Sequence, residues 1–333
     1  MEQVERRRHG NPHNLHKSHL LTKNIYKIRR SKKSNIKSFF SKFFLCTTLA
    51  LSTVTLSRCR DLHQPLPALS GWFIKHFEQV TKIKNLNLRS EQFSPVVLQI
   101  GAHTGFEKND PLWKPLRKYF ADCAREEIPW VWILVEPVPI NFKALEDNFH
   151  GRKFPGQGKV ILENCAIGLS NSNTSLVPFF TVSESIDPLT GFDSRSGKYF
   201  PDYITQIGSF KREMLLKERR VWKKLNLDVE DYIREVPVNM KSIDSIFKNY
   251  NLQFKQLTIL LIDTEGFDCK IMFDLDFNRI QPAVLIYEFK HCSAEELRQV
   301  HLKLTQLYIH RRIDSENEVC FLKSQLGNVK IRK

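Results

Sequence analysis

The residues best suited to chemistry in this chain stand directly after short apolar runs. They are two glycines after PVVLQI, one acid after WVWILV, one amide after VILE and two acids at the end of LTILLID, namely Gly101, Gly105, Glu136, Asn164, Asp263 and Glu265. A short apolar run is typical of a strand buried on both faces, and open α/β sheets bind ligands beyond the carboxyl ends of such strands. The pattern predicts one site built from several strand ends, with carboxylates that accept hydrogen bonds and move protons.

The loop GAHTG at 101–105 indicates what such a site would bind. Its glycines allow a tight turn and a close approach of the backbone to a ligand, but the loop lacks the third glycine of a dinucleotide fingerprint and the Gly-Lys-Ser/Thr of a triphosphate loop. A carboxylate after the second strand can accept both hydroxyls of a ribose, each such bond contributing roughly 1.5–3 kcal/mol. Glu136 is the candidate, the competing interpretation being a surface acid. These features favour a nucleoside cofactor without a pyrophosphate, of which S-adenosylmethionine is the common example.

Alternating strand and helix patterns must position these groups. Apolar runs predict strands near 95–100, 130–137, 160–162, 257–263 and 282–289, and two more at 308–313 and 319–322. Helical spacing between them predicts an α/β domain over 91–325, with a mostly parallel sheet and helices on both faces. The alternation lapses over 169–256, which we expect to be an insertion on the substrate side, between the third and fourth strands. The sequence of residues 61–90, ahead of this domain, predicts a linker and a short helix.

Charge is distributed unevenly along the 333 residues. Residues 1–60 carry fourteen Lys or Arg against two acids, so that tail holds +12 of the formal net charge of +15. The remaining +3 argues against a nucleic-acid partner for the folded body.

An apolar segment at about 39–57 follows the basic residues of the tail and is long enough for a marginal membrane span. The preceding Lys and Arg would keep the N-terminus cytosolic, as in a single-pass type II anchor of the endomembrane system. A removed targeting peptide, a nuclear-type basic cluster and a soluble protein with a disordered tail are the competing interpretations. The sequon at Asn173 would suit a lumenal body.

The seven cysteines show no paired spacing and no accompanying histidine cluster. We therefore expect neither a metal site nor a disulfide framework, and interpret the cysteines as buried free thiols.

Six segments, taken in order, carry a family resemblance: LQIGAHTG, VEP, ENCAIG, QIGSF, LLIDTEGFD and PAVLIYEFKH. Over roughly 95–322 the chain resembles the FkbM family of S-adenosylmethionine-dependent methyltransferases, DTEGFD being the most specific part. The resemblance implies a class I methyltransferase fold, Rossmann-like, with seven strands of which the last is antiparallel. It also implies methylation of a hydroxyl oxygen on a sugar or other small metabolite. Gln99 stands where the family usually has Asp, and Leu261 where it usually has Lys.

The resemblance also implies site roles. The methionine part of the cofactor would lie against the glycine loop, the ribose against Glu136, and the adenine edge against the end of the third strand. The residues implied for cofactor binding are Gly101, Ala102, His103, Gly105, Glu136, Asn164 and Ala166.

On the acceptor side, methyl transfer needs a group that orients the hydroxyl and takes its proton. We expect Asp263 as the base or orienting group, Glu265 as its partner or as an acceptor for a substrate hydroxyl, and Glu288 with His291 on the far side of the pocket. Gln206 and Ser209 in QIGSF are the expected substrate contacts. The competing interpretation of Asp263 and Glu265 is an acid pair at a helix N-terminus.

Two other functions remain compatible with the residues alone. One is a nucleotide-cofactor oxidoreductase on a similar sheet, and the other is a membrane-tethered, non-catalytic binding protein of the same fold. The basic residues around 211–224 would be either a solvated helix face or a grip for an acidic substrate.

Overall fold

The structure is a computed structural model that describes residues 71–105, 113–152, 154, 156–168 and 176–326. The tail with its segment at 39–57, Cys46, Cys59 and the sequon at Asn173 lie outside these residues. In the described part of the chain, none of the helices has the length and apolar character needed to cross a membrane.

Twelve strands and eight α-helices make up the described chain. The strands are β1 (Val96–Ile100), β2 (Val131–Val135), β3 (Lys159–Glu163), β4 (Ala166–Ile167), β5 (Leu176–Val182), β6 (Phe192–Asp193), β7 (Lys198–Tyr199), β8 (Ile233–Lys241), β9 (Leu257–Ile262), β10 (Val284–Glu288), β11 (Tyr308–Arg312) and β12 (Asn317–Leu322). The helices are α1 (Gly71–Ser90), α2 (Trp113–Arg125), α3 (Pro139–Phe149), α4 (Arg212–Leu216), α5 (Arg219–Lys224), α6 (Ile243–Asn249), α7 (Asp268–Asp274) and α8 (Ala294–Leu307).

Seven of the strands form a mixed sheet in the order β3-β2-β1-β9-β10-β12-β11. Neighbours from β3 to β10 pair in parallel, whereas β12 runs antiparallel to both β10 and β11. The central strands are parallel and fully covered, which explains why their sequences are almost continuously apolar. Because parallel strands end at the same edge, the loops after β1, β2, β3, β9 and β10 gather there.

Helices cover both faces of this sheet, as the alternation predicts. Alternate residues of β1 point to opposite faces: Leu98 packs in a cluster with α6, α7 and α8, and Val97 in a cluster with α1, α2 and α3. Helix α1 extends over twenty residues, and its Phe73, Phe77 and Val80 join the second cluster. The helix expected to precede the first strand is therefore part of the domain core.

Much of the segment between β3 and β9 folds around an apolar cluster of its own, whereas α6 near its end packs against the main sheet. Strands β4, β8 and β5 form a three-stranded sheet, and β6 pairs with β7. The basic stretch forms two short helices, α4 and α5, anchored by the buried Trp222. Arg212 and Arg219 pair with Glu230 at the surface, the contact of Arg219 being 3.6 Å. These two basic residues thus lie on a solvated, ion-paired face.

The expectation of free thiols is wrong for two cysteines. Cys269 at the start of α7 and Cys292 after β10 form a disulfide, with Cα atoms 5.9 Å apart. Their separation of 23 residues carries no sequence motif. They meet because β9 and β10 are neighbours, so the segments that follow them lie side by side. The expectation is confirmed for Cys123, Cys165 and Cys320, which are free and buried.

The disulfide should stabilise the fold measurably. Because it closes a loop of about 24 residues, replacing both cysteines by Ser should lower the free energy of unfolding by about 3 kcal/mol. Denaturant unfolding of the full chain under non-reducing conditions measures this change. Reductant should bring the wild-type chain to the stability of the double variant and leave the variant unchanged; a wild-type chain that does not respond to reductant would contradict the assignment.

Candidate functional site

The glycine loop after β1 is held against the end of β2. The backbone N–H groups of Gly101 and Ala102 both donate to the carbonyl oxygen of Val135, at 3.0 and 2.9 Å. Gly101 has φ +83°, and a Cβ at this position would overlap the carbonyl oxygen of Asp263. Gly105 has φ +77°, and a Cβ there would lie 2.6 Å from the Leu145 side chain. Both positions therefore require glycine, one for contact with β9 and one for packing on α3.

Glu136 ties the glycine loop to the loop after β2. Its carboxylate is buried and accepts hydrogen bonds from the backbone N–H of His103 and that of Val138, both at 2.9 Å. Burial raises the pKa of Glu136, and the charge of His103 and the two N–H groups offset only part of the rise. Each carboxylate oxygen can accept more than one hydrogen bond, so a ligand hydroxyl can still bind to either.

Asn164 and Ala166 lie beside this carboxylate. The Asn164 amide donates to the carbonyl oxygens of Glu136, at 2.9 Å, and Pro137, at 3.3 Å. Ala166 pairs with Met240 in the small sheet and packs in an apolar cluster with Val138. The ends of β1, β2 and β3 are thus joined by one network, which contains the residues expected to bind a cofactor.

The acidic loop after β9 touches the glycine loop through the backbone. Asp263 N–H donates to the carbonyl oxygen of Ile100 at 2.9 Å, and the chain then turns through Glu265, with φ +51°, and Gly266, with φ +106°. Asp263 is exposed at the sheet edge. It is therefore placed where a bound ligand could meet both loops.

Asp268 organises this turn, a role that sequence reasoning missed. It is 1% exposed and accepts hydrogen bonds from the backbone N–H groups of Thr264, at 3.0 Å, and Gly266, at 3.2 Å. Burial raises its pKa to about 6 despite these hydrogen bonds. It is also the acid in the first turn of α7.

Glu265, Glu288 and His291 converge next to this turn. His291 Nε2 lies 3.2 Å from Glu265 Oε2 and 3.9 Å from Glu288 Oε2. Burial, together with the charges of Glu265 and Asp268, raises the pKa of Glu288. Although the sequence predicted no metal site, the ligand atoms of these three residues lie within 4.8 Å of one another.

A segment of the insertion, residues 205–214, runs from the glycine loop to the acidic loop. At one end, Thr205 Oγ1 lies 3.3 Å from His103 Nε2, and the Asn141 amide donates to the Thr205 carbonyl oxygen at 2.9 Å. At the other, the Phe210 and Phe267 rings are 4.9 Å apart, and Met214 lies close to Gly266. The insertion therefore covers part of the site.

The two residues expected to contact substrate lie within this segment. Gln206 is half-buried next to Thr205, and the buried Ser209 exchanges backbone hydrogen bonds with Phe180 at 2.8 and 2.9 Å. Sequence reasoning did not single out Thr205 or Met214. Only the folded insertion brings them to the two loops.

A second cluster of titratable groups lies on α8, β11 and β12. His301 Nε2 is 3.0 Å from Glu318 Oε2, and His310 Nδ1 bonds to the other Glu318 oxygen. Glu318 is buried, and burial alone would raise its pKa, but the hydrogen bonds from His310 and His301 outweigh burial and lower it. Both carboxylate oxygens of Glu318 therefore have a histidine as hydrogen-bond partner.

The sequence profile of the methyltransferase FkbM domain matches residues 99–312, most of the described chain. The chain belongs to this family. The match includes every residue of the site and the whole insertion, and it supports a methyltransferase. Searches of curated proteins and of solved structures found no match.

The two departures from the usual FkbM pattern turn out to be neighbours. Gln99 of β1 pairs in register with Leu261 of β9, and with Leu134 of β2 on its other side. Because register partners in parallel strands point to the same face, an Asp and a Lys at these positions would be adjacent opposite charges. With a neutral residue at both positions, neither strand carries an unpaired charge at this place.

The contact between Gly101 and Asp263 predicts a large effect of a small substitution. Gly197 has φ +67° and open space around it, so Gly197→Ala should cost only the roughly 1–2 kcal/mol of left-handed backbone. Gly101→Ala must in addition push β1 away from β9 and should cost clearly more. Urea unfolding of both variants measures the difference; equal losses would contradict the close approach.

Glu318 predicts a pH-dependent contribution to stability. Because its folded pKa lies below the ordinary 4.5, the ionised form stabilises the fold above pH 4.5, and this stabilisation is lost as pH falls through the folded value. Glu318→Gln should lower the free energy of unfolding by roughly 1.5–3 kcal/mol at pH 7 and by progressively less below pH 4.5. The exposed substitution Glu146→Gln is the control. A loss that stays constant down to pH 3 would contradict this account.

Proposed function

We propose that this FkbM-family chain transfers a methyl group from S-adenosylmethionine to a hydroxyl oxygen of a sugar or other small metabolite. The observation that carries the proposal is the contact between the glycine loop and the acidic loop, which sets a candidate cofactor cradle directly beside a candidate base. The sheet order and its antiparallel β12 support assignment to the class I methyltransferase arrangement. The family match supports neither an oxidoreductase nor a non-catalytic binding protein.

The residues present fit S-adenosylmethionine. The glycine loop is held by backbone contacts against the ends of β2 and β9, and the buried Glu136 beside it retains acceptor capacity for ribose hydroxyls. We assign the methionine part to 101–105 and the adenine edge to Asn164 and Ala166. The bound cofactor supplies an electrophilic methyl group on a sulfonium centre. Gln99 lies in β1 just before the loop and offers a neutral hydrogen-bonding group.

Asp263 is the proposed base. Its carboxylate would accept the proton of the acceptor hydroxyl as that oxygen takes the methyl group, so that charge and atoms balance in one displacement. Glu265 would orient the hydroxyl, while Glu288 and His291 line the far side. This assignment rests on the position of Asp263 beside Gly101 and on its exposure at the sheet edge.

The insertion is the proposed acceptor-binding element. Residues 205–214 contact both loops, so their side chains would meet an acceptor bound between them. Gln206 and Ser209 remain the proposed substrate contacts, and Thr205, Phe210 and Met214 add a hydroxyl, an aromatic ring and a thioether. A surface of this composition suits an acceptor with both hydroxyl groups and an apolar face.

We further propose that the folded body works in an oxidising compartment. Disulfides such as Cys269–Cys292 persist in secreted and lumenal proteins and are rare in the cytosol. This supports the hypothesis of a type II anchor at 39–57 with the body on the lumenal side.

The function is tested by transfer of labelled methyl from S-adenosylmethionine to a metabolite and glycan extract. The wild-type chain should label a hydroxyl-bearing product, and Asp263→Asn should lower the turnover by about 10²–10⁴-fold, because general base catalysis is worth that much. Cofactor affinity, measured by calorimetry, should change little. The matched control is Asp122→Asn on α2, where the acid pairs with the surface bases Lys118 and Arg125 at 2.8 and 2.6 Å. Full activity of Asp263→Asn would contradict the assigned base, and absence of cofactor binding by the wild type would contradict the function.

A further inference from the structure

The cluster of Glu265, Glu288 and His291 has features that are typical of a group of metal ligands and that a simple ion pair lacks. Glu288 Oε2 and His291 Nε2 are both buried, and neither makes a hydrogen bond to any residue that the structure describes. His291 Nε2 lies 3.2 Å from Glu265 Oε2, yet this contact lacks hydrogen-bond geometry. Burying polar atoms without hydrogen-bond partners costs free energy. The lone pairs of Glu288 and His291 converge without bonding to each other, which indicates that a partner is missing.

The missing partner should be positively charged. Glu288 is 5% exposed, and the carboxylates of Glu288 and Glu265 both face His291 Nε2, at 3.9 and 3.2 Å. The ammonium group of the nearby Lys290 pairs with Glu316 at 2.9 Å. Asp268 is stabilised by backbone N–H groups. Glu288 Oε2, by contrast, has no hydrogen-bond partner among the described residues.

We infer that Glu265, Glu288 and His291 bind a divalent transition-metal ion such as Mn²⁺. Carboxylate oxygens and an imidazole nitrogen together suit Mn²⁺ or Zn²⁺ better than Mg²⁺, which prefers oxygen ligands and retained water. Three protein ligands leave coordination positions open for a substrate oxygen. In this position the ion would hold the acceptor hydroxyl near Asp263. That role rests on the proposed function, whereas the binding of the ion does not depend on it.

The disulfide supports a preformed site. Glu265 belongs to the loop before α7, and Glu288 and His291 to the end of β10 and the segment after it. Cys269 and Cys292 covalently join these two segments directly beside Asp268 and His291. Ligands from separate segments are thereby fixed relative to one another, which lowers the entropic cost of binding an ion.

The other cluster, formed by His301, His310 and Glu318, provides a matched comparison. It also offers three ligand atoms within 4.8 Å. There, however, each carboxylate oxygen already bonds to one histidine, at 3.0 Å for His301. The histidines and the carboxylate of this cluster therefore already bond to one another. We assign the ion to the cluster of Glu265, Glu288 and His291.

The test is calorimetric titration of MnCl₂ into the full, chelator-treated chain under non-reducing conditions. One Mn²⁺ should bind per chain, and Glu288→Gln and His291→Gln should each weaken binding at least tenfold, whereas Glu318→Gln should leave it within twofold. Mg²⁺ should bind at least tenfold more weakly than Mn²⁺. If two ions bind, Glu288→Gln must remove one of them. Circular dichroism checks folding, and Glu265→Gln, at a half-buried position, replaces Glu288→Gln if that variant does not fold.

Three results would overturn the inference: no Mn²⁺ binding to the wild type, loss of binding in Glu318→Gln instead of Glu288→Gln, or Mg²⁺ binding as tight as that of Mn²⁺. S-adenosylmethionine titrated separately distinguishes the two proposals. Cofactor binding without Mn²⁺ binding overturns the metal site and leaves the proposed function intact. Mn²⁺ binding without cofactor binding supports the metal site and counts against the function.

Discussion

The close approach of Gly101 to the backbone of Asp263 is the constraint on which the site depends. It exists because β1 and β9 are adjacent parallel strands that end together, and because the residue after β1 has no side chain. The loop that would hold a cofactor and the loop that would hold an acceptor are therefore joined by backbone contacts and need no movement to meet. Such preorganisation is what a displacement reaction requires of a protein, since reacting atoms must be held close and in line.

Buried acids at the carboxyl edge are stabilised in different ways, and the differences separate structural from chemical roles. Glu163 bonds to Lys241 and to the Tyr250 hydroxyl, both at 2.6 Å, which is a complete structural arrangement. Glu136 and Asp268 accept backbone N–H groups and thereby shape the two loops. Glu288 stands apart, because one of its oxygens is buried without a hydrogen-bond partner among the described residues. The same edge of the sheet therefore contains both the supports of the site and a group prepared for a ligand.

Much of the fold follows from local sequence patterns. The strands that form the sheet, the glycine loop and the helix ahead of β1 were predictable because apolar periodicity and glycine placement reflect local geometry. The acids at the strand ends were also predictable, since parallel strands bring their ends together. The roles assigned to them in catalysis and cofactor binding remain predictions.

Features that depend on contacts distant in sequence were not predictable. The disulfide joins residues with no motif, Thr205 reaches His103 only through the folded insertion, and the pairing of Gln99 with Leu261 requires the strand register. The convergence of His291 with Glu265 likewise depends on β9 and β10 being neighbours. In each case the information lies in the order of strands in the sheet, which a single sequence does not state directly.

The central claim is that the glycine loop and Glu136 bind S-adenosylmethionine beside the acidic loop. Hydrogen–deuterium exchange of the full chain, with and without the cofactor, tests this most directly. The account predicts slower exchange at 101–105, around 136–138 and at 263–266, with the hairpin of β6 and β7 unchanged. Exchange that is unaltered in the two loops, or slowed only elsewhere, would contradict it.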